Sequence, residues 1–205
     1  WMCFYRLRRK GFAWNHKRVY RVYTAMRLNI RRRSKKRLPA RVKQALFQPT
    51  EINQVWSLDF MEDSLWDGRK YRVLNIIDDY NRELLSVEAD TSLPALRVIR
   101  VLERLKDYRG LPKMIRVDNG PELISRKLDF WCKDNRVDLI FIQPGKPMQN
   151  GYVERFNGSF RSEMFSAYVF KTISEVRMKI EEWMDDYNHE RPHKALGYKA
   201  PVDLL

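Results

Sequence analysis

From residue 50 onward the apolar positions fall into short runs separated by turn residues. VWSLDF (55–60) has the aromatic and aliphatic content of a strand, and Asp67-Gly68 marks a hairpin turn after it. KYRVLNIIDD (70–79) follows as a long strand, then a polar turn at Tyr80-Asn81-Arg82, then ELLSVEA (83–89), which completes an antiparallel meander. A helix is predicted from about Leu93 to Tyr108. It has Val98, Val101, Leu102 and Leu105 on the inner face, Arg97, Arg100 and Arg104 on another, and Gly110 and Pro112 at its end. KMIRVD (113–118) reads as a short strand, and Pro121 suits the first turn of a helix that directs Ile124, Leu128 and Trp131 inward. VDLIFI (137–142) is a fifth strand and PGKPMQNG (144–151) a loop. A helix starting near 149–151 places Val153, Phe156, Phe160 and Met164 at i, i+3, i+7 and i+11. The last helix opens with Thr172 and Glu175 at capping-box spacing and turns Val176, Ile180, Trp183 and Tyr187 inward. A meander followed by β-α-β crossovers makes an α/β protein with a five-stranded mixed sheet flanked by helices.

The first fifty residues follow a different pattern. Residues 1–11 predict a short helix ended by Gly11, and Asn15 can cap a second helix with Val19, Val22, Tyr23 and Met26 along one face. Lys17, Arg18, Arg21 and Arg27 occupy much of the rest of it. Two short helices around a glycine-containing turn resemble part of a helix-turn-helix, and the short first helix with an opening Trp1 points to sequence missing ahead of it. Arg31–Arg37 is a basic run, and Pro39 and Pro49 bracket the stretch after it. The predicted organisation is a partial helix-turn-helix-like segment (1–37), a basic linker (38–50) and a mixed α/β core with a helical tail (51–205).

Charge sharpens this division. The chain has 205 residues and a net charge of +14, yet residues 1–50 hold 16 Lys or Arg and no acid, leaving 24 basic and 26 acidic side chains in the remainder. A basic block beside a nearly neutral body predicts a polyanion-binding arm, with Lys17, Arg18, Arg21, Arg31, Arg32 and Arg33 as DNA-contact candidates. With 44% apolar residues the chain can bury a core, and no apolar run reaches the length needed to span a bilayer. No signal-peptide pattern is visible, so a soluble, cytoplasmic, nucleoid-associated protein without membrane contact is expected. Cys3 and Cys132 lie far apart, which excludes a disulfide framework and a zinc finger. His189 and His193 have helical i, i+4 spacing, but Pro192 between them breaks the helix that a zinc pair would need.

Three acids stand out by position. Asp59 falls near the end of the first strand, Asp118 at the carboxyl end of the fourth, where open α/β sheets gather their sites. Glu154 lies beside the core face of its helix, about 100° around from Val153. Convergent carboxylates repel unless protonated or neutralised by cations, and oxygen-only ligands favour Mg²⁺ or Mn²⁺ over zinc. Two such ions activate a water or a 3′-hydroxyl and stabilise the leaving oxygen of a phosphodiester. Asp78 and Asp79, at the end of the second strand, read as hairpin-turn residues, and Trp56, Trp131 and Trp183 as core.

The text around the three acids, WSLDF, VDNGPE and QNGYVERFNGSFRSE, resembles the carboxylate motifs of DDE transposases and retroviral-type integrases. Between Asp118 and Glu154 lie 35 residues, the spacing typical of that family, and 58 separate Asp59 from Asp118. The tail YNHERPHKALGYKAPVDLL and the segment NHKRVYRVYTAMRLNIRRR resemble the OrfB-type transposases of bacterial insertion sequences. The paired His and Cys ligands of the retroviral zinc domain are absent from the sequence. The resemblance implies an RNase-H-like core, two Mg²⁺ (or Mn²⁺) ions held by Asp59, Asp118 and Glu154, and strand cleavage and transfer on double-stranded DNA at element ends and target. It also implies a homo-oligomer on DNA and an upstream-frame partner or fusion product. Arg161 matches a basic, phosphate-contacting position, Gln149, Asn150 and Gly151 match the mobile loop before the Glu154 helix, where they can also cap that helix, and Lys146, Gln149 and Asn150 join the DNA-contact candidates. Asn119 and Gly120 match the turn after the second Asp, and Asn157 and Gly158 match with either a packing or a DNA-contact role. Two rival readings stand beside this one: a catalytically silent, truncated or domesticated DNA-binding remnant, and a structure-specific nuclease of the same fold.

Overall fold

The computed structural model describes residues 1–29, 47–120, 122–143 and 150–205. Five strands form one mixed sheet in the order β3-β2-β1-β4-β5. They are β1 (Val55–Ser64), β2 (Lys70–Asp78), β3 (Leu84–Asp90), β4 (Met114–Val117) and β5 (Asp138–Phe141). The predicted meander is present: β1 pairs antiparallel with β2, and β2 with β3. Gly68, at φ +84°, makes the β1–β2 turn in a conformation that side chains other than glycine rarely adopt. The parallel pairs β1–β4 and β4–β5 are joined by helical crossovers.

Helix α3 (Ala95–Arg109) and helix α4 (Arg126–Asp134) cover one face of the sheet. Val98, Val101, Leu102 and Leu105 of α3 and Leu128 and Trp131 of α4 meet Trp56, Leu58, Leu74, Ile76, Ile115 and Val117 in a single core. Helix α5 (Gly151–Phe160) and helix α6 (Ile173–Asp185) build a second core on the opposite face, where Val153, Phe156, Phe160, Met164, Val176 and Ile180 pack on Met61, Val73, Ile77 and Leu84. Because side chains alternate along a strand, even-numbered residues of β1 and β2 enter the first core and odd-numbered ones face α5.

Several boundaries differ from the sequence pattern. Helix α4 begins at Arg126, five residues after Pro121, because Ser125 caps it by accepting the Lys127 N–H. Ile124 is consequently exposed and Leu123 takes its place in the core. At α6, Thr172 accepts the Glu175 N–H as expected, but the Glu175 carboxylate reaches back to the Lys171 N–H and leaves the reciprocal half of the capping box unmade. Trp183 is half-buried and donates to Glu163 at 3.0 Å. Helix α5 continues into a single π-helical turn, Arg161–Phe165, whose Glu163 accepts both Trp183 and a two-pronged pair from Arg191.

The N-terminal pair is α1 (Met2–Arg9) and α2 (His16–Ala25), the latter capped by Asn15 as expected. The predicted apolar face of α2 is not buried: only Val19 is, while Val22 and Met26 are 48% and 63% exposed. A complete helix-turn-helix is not established among the described residues. Instead, α1 is clasped to the C-terminal tail. Arg6 pairs with Asp186, Arg9 pairs with Asp203 and donates to the His189 carbonyl, and Tyr5 stacks on Tyr198 with centroids 4.1 Å apart. No helix among the described residues is long and apolar enough to cross a membrane.

Candidate active site

The parallel register places Ser57 opposite Arg116. Continuing that register brings Asp118, the residue just past the end of β4, beside Asp59, near enough for the two charges to interact, and strand alternation directs both toward the α5 side. The expectation that Asp59 ends its strand needs correction: it is the fifth residue of ten in β1, and only the shorter β4 stops beside it. Asp59 lies across from Asn75 in β2. Glu154 sits in the first turn of α5, where the positive end of the helix dipole favours a carboxylate.

Both aspartates are held by N–H donors, Asp59 through both of its oxygens and Asp118 through one. Asp59 Oδ1 accepts the Phe60 N–H at 2.9 Å, and Oδ2 accepts Asn157 Nδ2 at 2.7 Å. Asp118 Oδ1 accepts the Gly120 N–H at 2.9 Å in a tight turn. A Cβ on Gly120 would stand 3.0 Å from that same oxygen, so a side chain there would press the carboxylate aside by a few tenths of an ångström. Asn119 braces the turn by donating to the Ile142 carbonyl at 3.0 Å. Glu122 braces it from the other side through an ion pair with Arg72, whose guanidinium lies over the Phe60 ring. The DNGPE text was legible as a motif, but its tie to β2 through Arg72 carried no sequence signal.

Burial, followed by the neighbouring Asp118 charge, pushes the Asp59 carboxyl up to about 6, with Glu154 adding to the effect. Burial also raises Glu154 above the usual carboxylate range. Asp59, Glu154, Asn157, Gly158 and Arg161 line one open hollow of about 350 Å³. Among the described residues, no three His, Cys, Asp or Glu side chains close around a single point. The donor set is nonetheless all oxygen, mutually repulsive and partly dry, which suits a hard divalent cation. Glu154 is exposed at the rim, free to approach the two aspartates.

Other expected site residues divide clearly. Lys17, Arg18 and Arg21 are exposed on α2, and Arg161 is exposed at the hollow with its guanidinium over Phe165. Asn150 is only 2% exposed and makes no side-chain cap on α5. Arg31, Arg32, Arg33, Lys146 and Gln149 lie outside the described residues. Asp78 serves the turn by accepting the Tyr80 and Asn53 N–H groups. Asp79 instead forms a buried ion pair with Arg116 at 2.7 Å, and its burial still pushes it up to about 6. His193 is half-buried against Tyr187, where loss of solvent depresses it to about 4, and His189 is exposed, so the two do not form a metal pair.

Two family models described as integrase core domain match residues 49–147 and 135–201. The uncharacterised 31.7 kDa protein of insertion element IS407 from Burkholderia multivorans is 43% identical over 96% of this chain and 71% of its own length. The chain belongs to the insertion-sequence transposases with an integrase core domain. A 39.2 kDa protein of insertion element IS476 from Xanthomonas euvesicatoria is 36% identical over 93% of the chain, which spans 55% of that relative. A transposase-like protein of Haemophilus influenzae is 22% identical over 92% of both chains. The integrase core also superposes on the HTLV-2 integrase catalytic core domain, solved in complex with magnesium. The TM-score is 0.57 and the identity 17%, over 76% of this chain and 97% of the viral one. A simian T-cell lymphotropic virus intasome gives a TM-score of 0.62 at 19% identity over 78% of the chain and 56% of its own. These likenesses identify the sheet and its helices as the RNase-H-like integrase fold.

Proposed function

We propose that the integrase core cuts and rejoins double-stranded DNA at the ends of an insertion sequence, with Asp59, Asp118 and Glu154 as ligands for Mg²⁺ or Mn²⁺. The observation that carries this reading is the placement of Asp59 and Asp118 side by side on adjacent parallel strands, with Glu154 at the rim of the same hollow as Asp59. Bound divalent cations supply activation of a water or 3′-hydroxyl and stabilisation of the leaving oxygen. The chain's own residues do the rest. Phe60 and Asn157 fix the Asp59 carboxylate, Gly120 fixes Asp118, and the α5 N-terminus supports Glu154. Arg161, exposed in the same hollow, offers a cation to a DNA phosphate. The cations of α2 contribute sequence-independent, salt-sensitive affinity. A homo-oligomer assembled on DNA, a fused or partner upstream product, and a cytoplasmic location complete the reading.

The test is direct. Purified protein nicks labelled terminal-repeat DNA in Mg²⁺, loses that activity in EDTA, and loses it in Asp118→Asn. Nicking that persists in Asp118→Asn removes the assignment. The open position of Glu154 favours one alternative, a DNA-holding chain that does not cut. Salt-dependent binding to the same DNA with no nicking in either Mg²⁺ or Mn²⁺ would select it.

A further inference from the structure

We propose that Asn75 is a positioning residue for the site, acting through Asn157 on Asp59; the proposal rests on the metal-ligand reading above. Asn75 lies in mid-β2 directly across from Asp59 and is fully buried. Its Nδ2 donates to Asn157 Oδ1 at 2.7 Å, and Asn157 Nδ2 donates to Asp59 Oδ2 at 2.7 Å. The chemistry makes this a directed relay. An ionised carboxylate only accepts, so Asn157 faces it with its amino group and has only its carbonyl left for Asn75. Asn75 must therefore be the donor. Without it, the Asn157 carbonyl loses its donor and only the bond to Asp59 is left to hold the amide in place, so the side chain is free to swing about that single contact.

The setting of Asn75 supports a role beyond packing. It stands between Leu74 and Ile76, both fully buried, in a stretch of β2 that is otherwise apolar. Its Oδ1 accepts no hydrogen bond from a described residue. A buried amide in that condition costs stability compared with an aliphatic side chain of the same shape. With Phe60 on Oδ1 and Asn157 on Oδ2, each Asp59 oxygen is bound by one N–H and retains a lone pair for a cation. The relay thus sets which way those lone pairs point.

The experiment uses the full chain and Mn²⁺ as the probe, with binding followed by water-proton relaxation at one fixed pH and without DNA. Asn75→Leu keeps the branched shape and removes both polar atoms. It is expected to weaken Mn²⁺ binding by roughly tenfold, the scale seen when a partner of a metal ligand is lost. Asn157→Leu is expected to do at least as much, and the double variant to bind no more weakly than Asn157→Leu alone. Losses that multiply in the double variant would mean that Asn75 does not act through Asn157, and would overturn the proposal. Wild-type affinity in Asn75→Leu would overturn it as well. Should Asn75→Leu fail to fold, Asn75→Thr, which suits a strand but cannot reach Asn157, carries the same expectation. Asp118→Asn is the reference: Mn²⁺ binding that disappears in Asp118→Asn yet is unchanged in Asn75→Leu sinks the relay alone, whereas a wild-type chain that binds no Mn²⁺ sinks the reading of the site and the relay together.

Discussion

Asp59 and Gly120 carry opposite kinds of constraint. The Asp59 carboxyl is raised to about 6 by burial and by Asp118, so the native chain binds its proton more tightly than the unfolded chain, with an ordinary value near 3.8. Between these two values the metal-free fold loses stability as pH rises, and above about 6 the penalty is complete. Asp59→Asn is therefore expected to be more stable than wild type at pH 8 without metal, by about 1–2 kcal/mol, with the difference vanishing near pH 4. Chemical denaturation at the two pH values measures it, and a variant less stable at pH 8 than at pH 4 relative to wild type contradicts burial and the Asp118 charge as the cause. Gly120 is constrained by space. Gly120→Ala brings a methyl to 3.0 Å from Asp118 Oδ1, so Asp118 must move. Weaker Mn²⁺ binding with a nearly unchanged melting temperature is the expected result, read by relaxation titration and calorimetry. At this scale the sequence exposed the carboxylates, through their flanking text, but not their supports. Asn157 matched a motif with a packing or a DNA-contact role rather than as a support for Asp59, and Asn75 left one faint sign, a polar side chain inside an apolar run. Its meaning depended on β1 pairing with β2 in a register that no local pattern specifies.

Strands and long helices followed their periodicity closely, because a buried stripe leaves a regular trace of apolar residues. The five strands and α3 appear where the pattern put them. The start of α4 departed from it, because a side chain outside the stripe decided the boundary, whereas α6 starts at the predicted cap. Ser125, not Pro121, begins α4. Thr172 begins α6, and Glu175 completes that turn by reaching Lys171. Thr172→Ala is expected to cost about 1 kcal/mol, the usual loss for an N-cap hydroxyl, as a shift in the urea midpoint. If the Glu175–Lys171 contact alone holds the start of α6, the midpoint will not move. The α2 stripe misled for a different reason: amphipathic spacing shows that a helix has an apolar face, not that something covers it. Among the described residues, little covers this one.

Across the whole molecule the basic first quarter has two uses. Exposed cations on α2 remain available to a polyanion, while Arg6 and Arg9 are engaged by acids of the tail. Net charge set the first fifty residues apart but could not show this division, in which Arg6 and Arg9 pair with residues nearly the full chain length away. The interior is divided as well. The core under α3 and α4 and the core under α5 and α6 lie on opposite faces of one sheet, and the three acids all belong to the second side. Leu102→Ala, which empties a fully buried position on the first side, is expected to cost roughly 2–5 kcal/mol while leaving Mn²⁺ affinity at the wild-type value. A folded Leu102→Ala chain with weakened Mn²⁺ binding would show that the faces are coupled. Should Leu102→Ala bind Mn²⁺ as wild type does, the helices α3 and α4 would give an engineer, or a lineage under heat stress, a place to harden the protein, provided that Phe60 and Leu123, which border the Asp118 turn, are left alone.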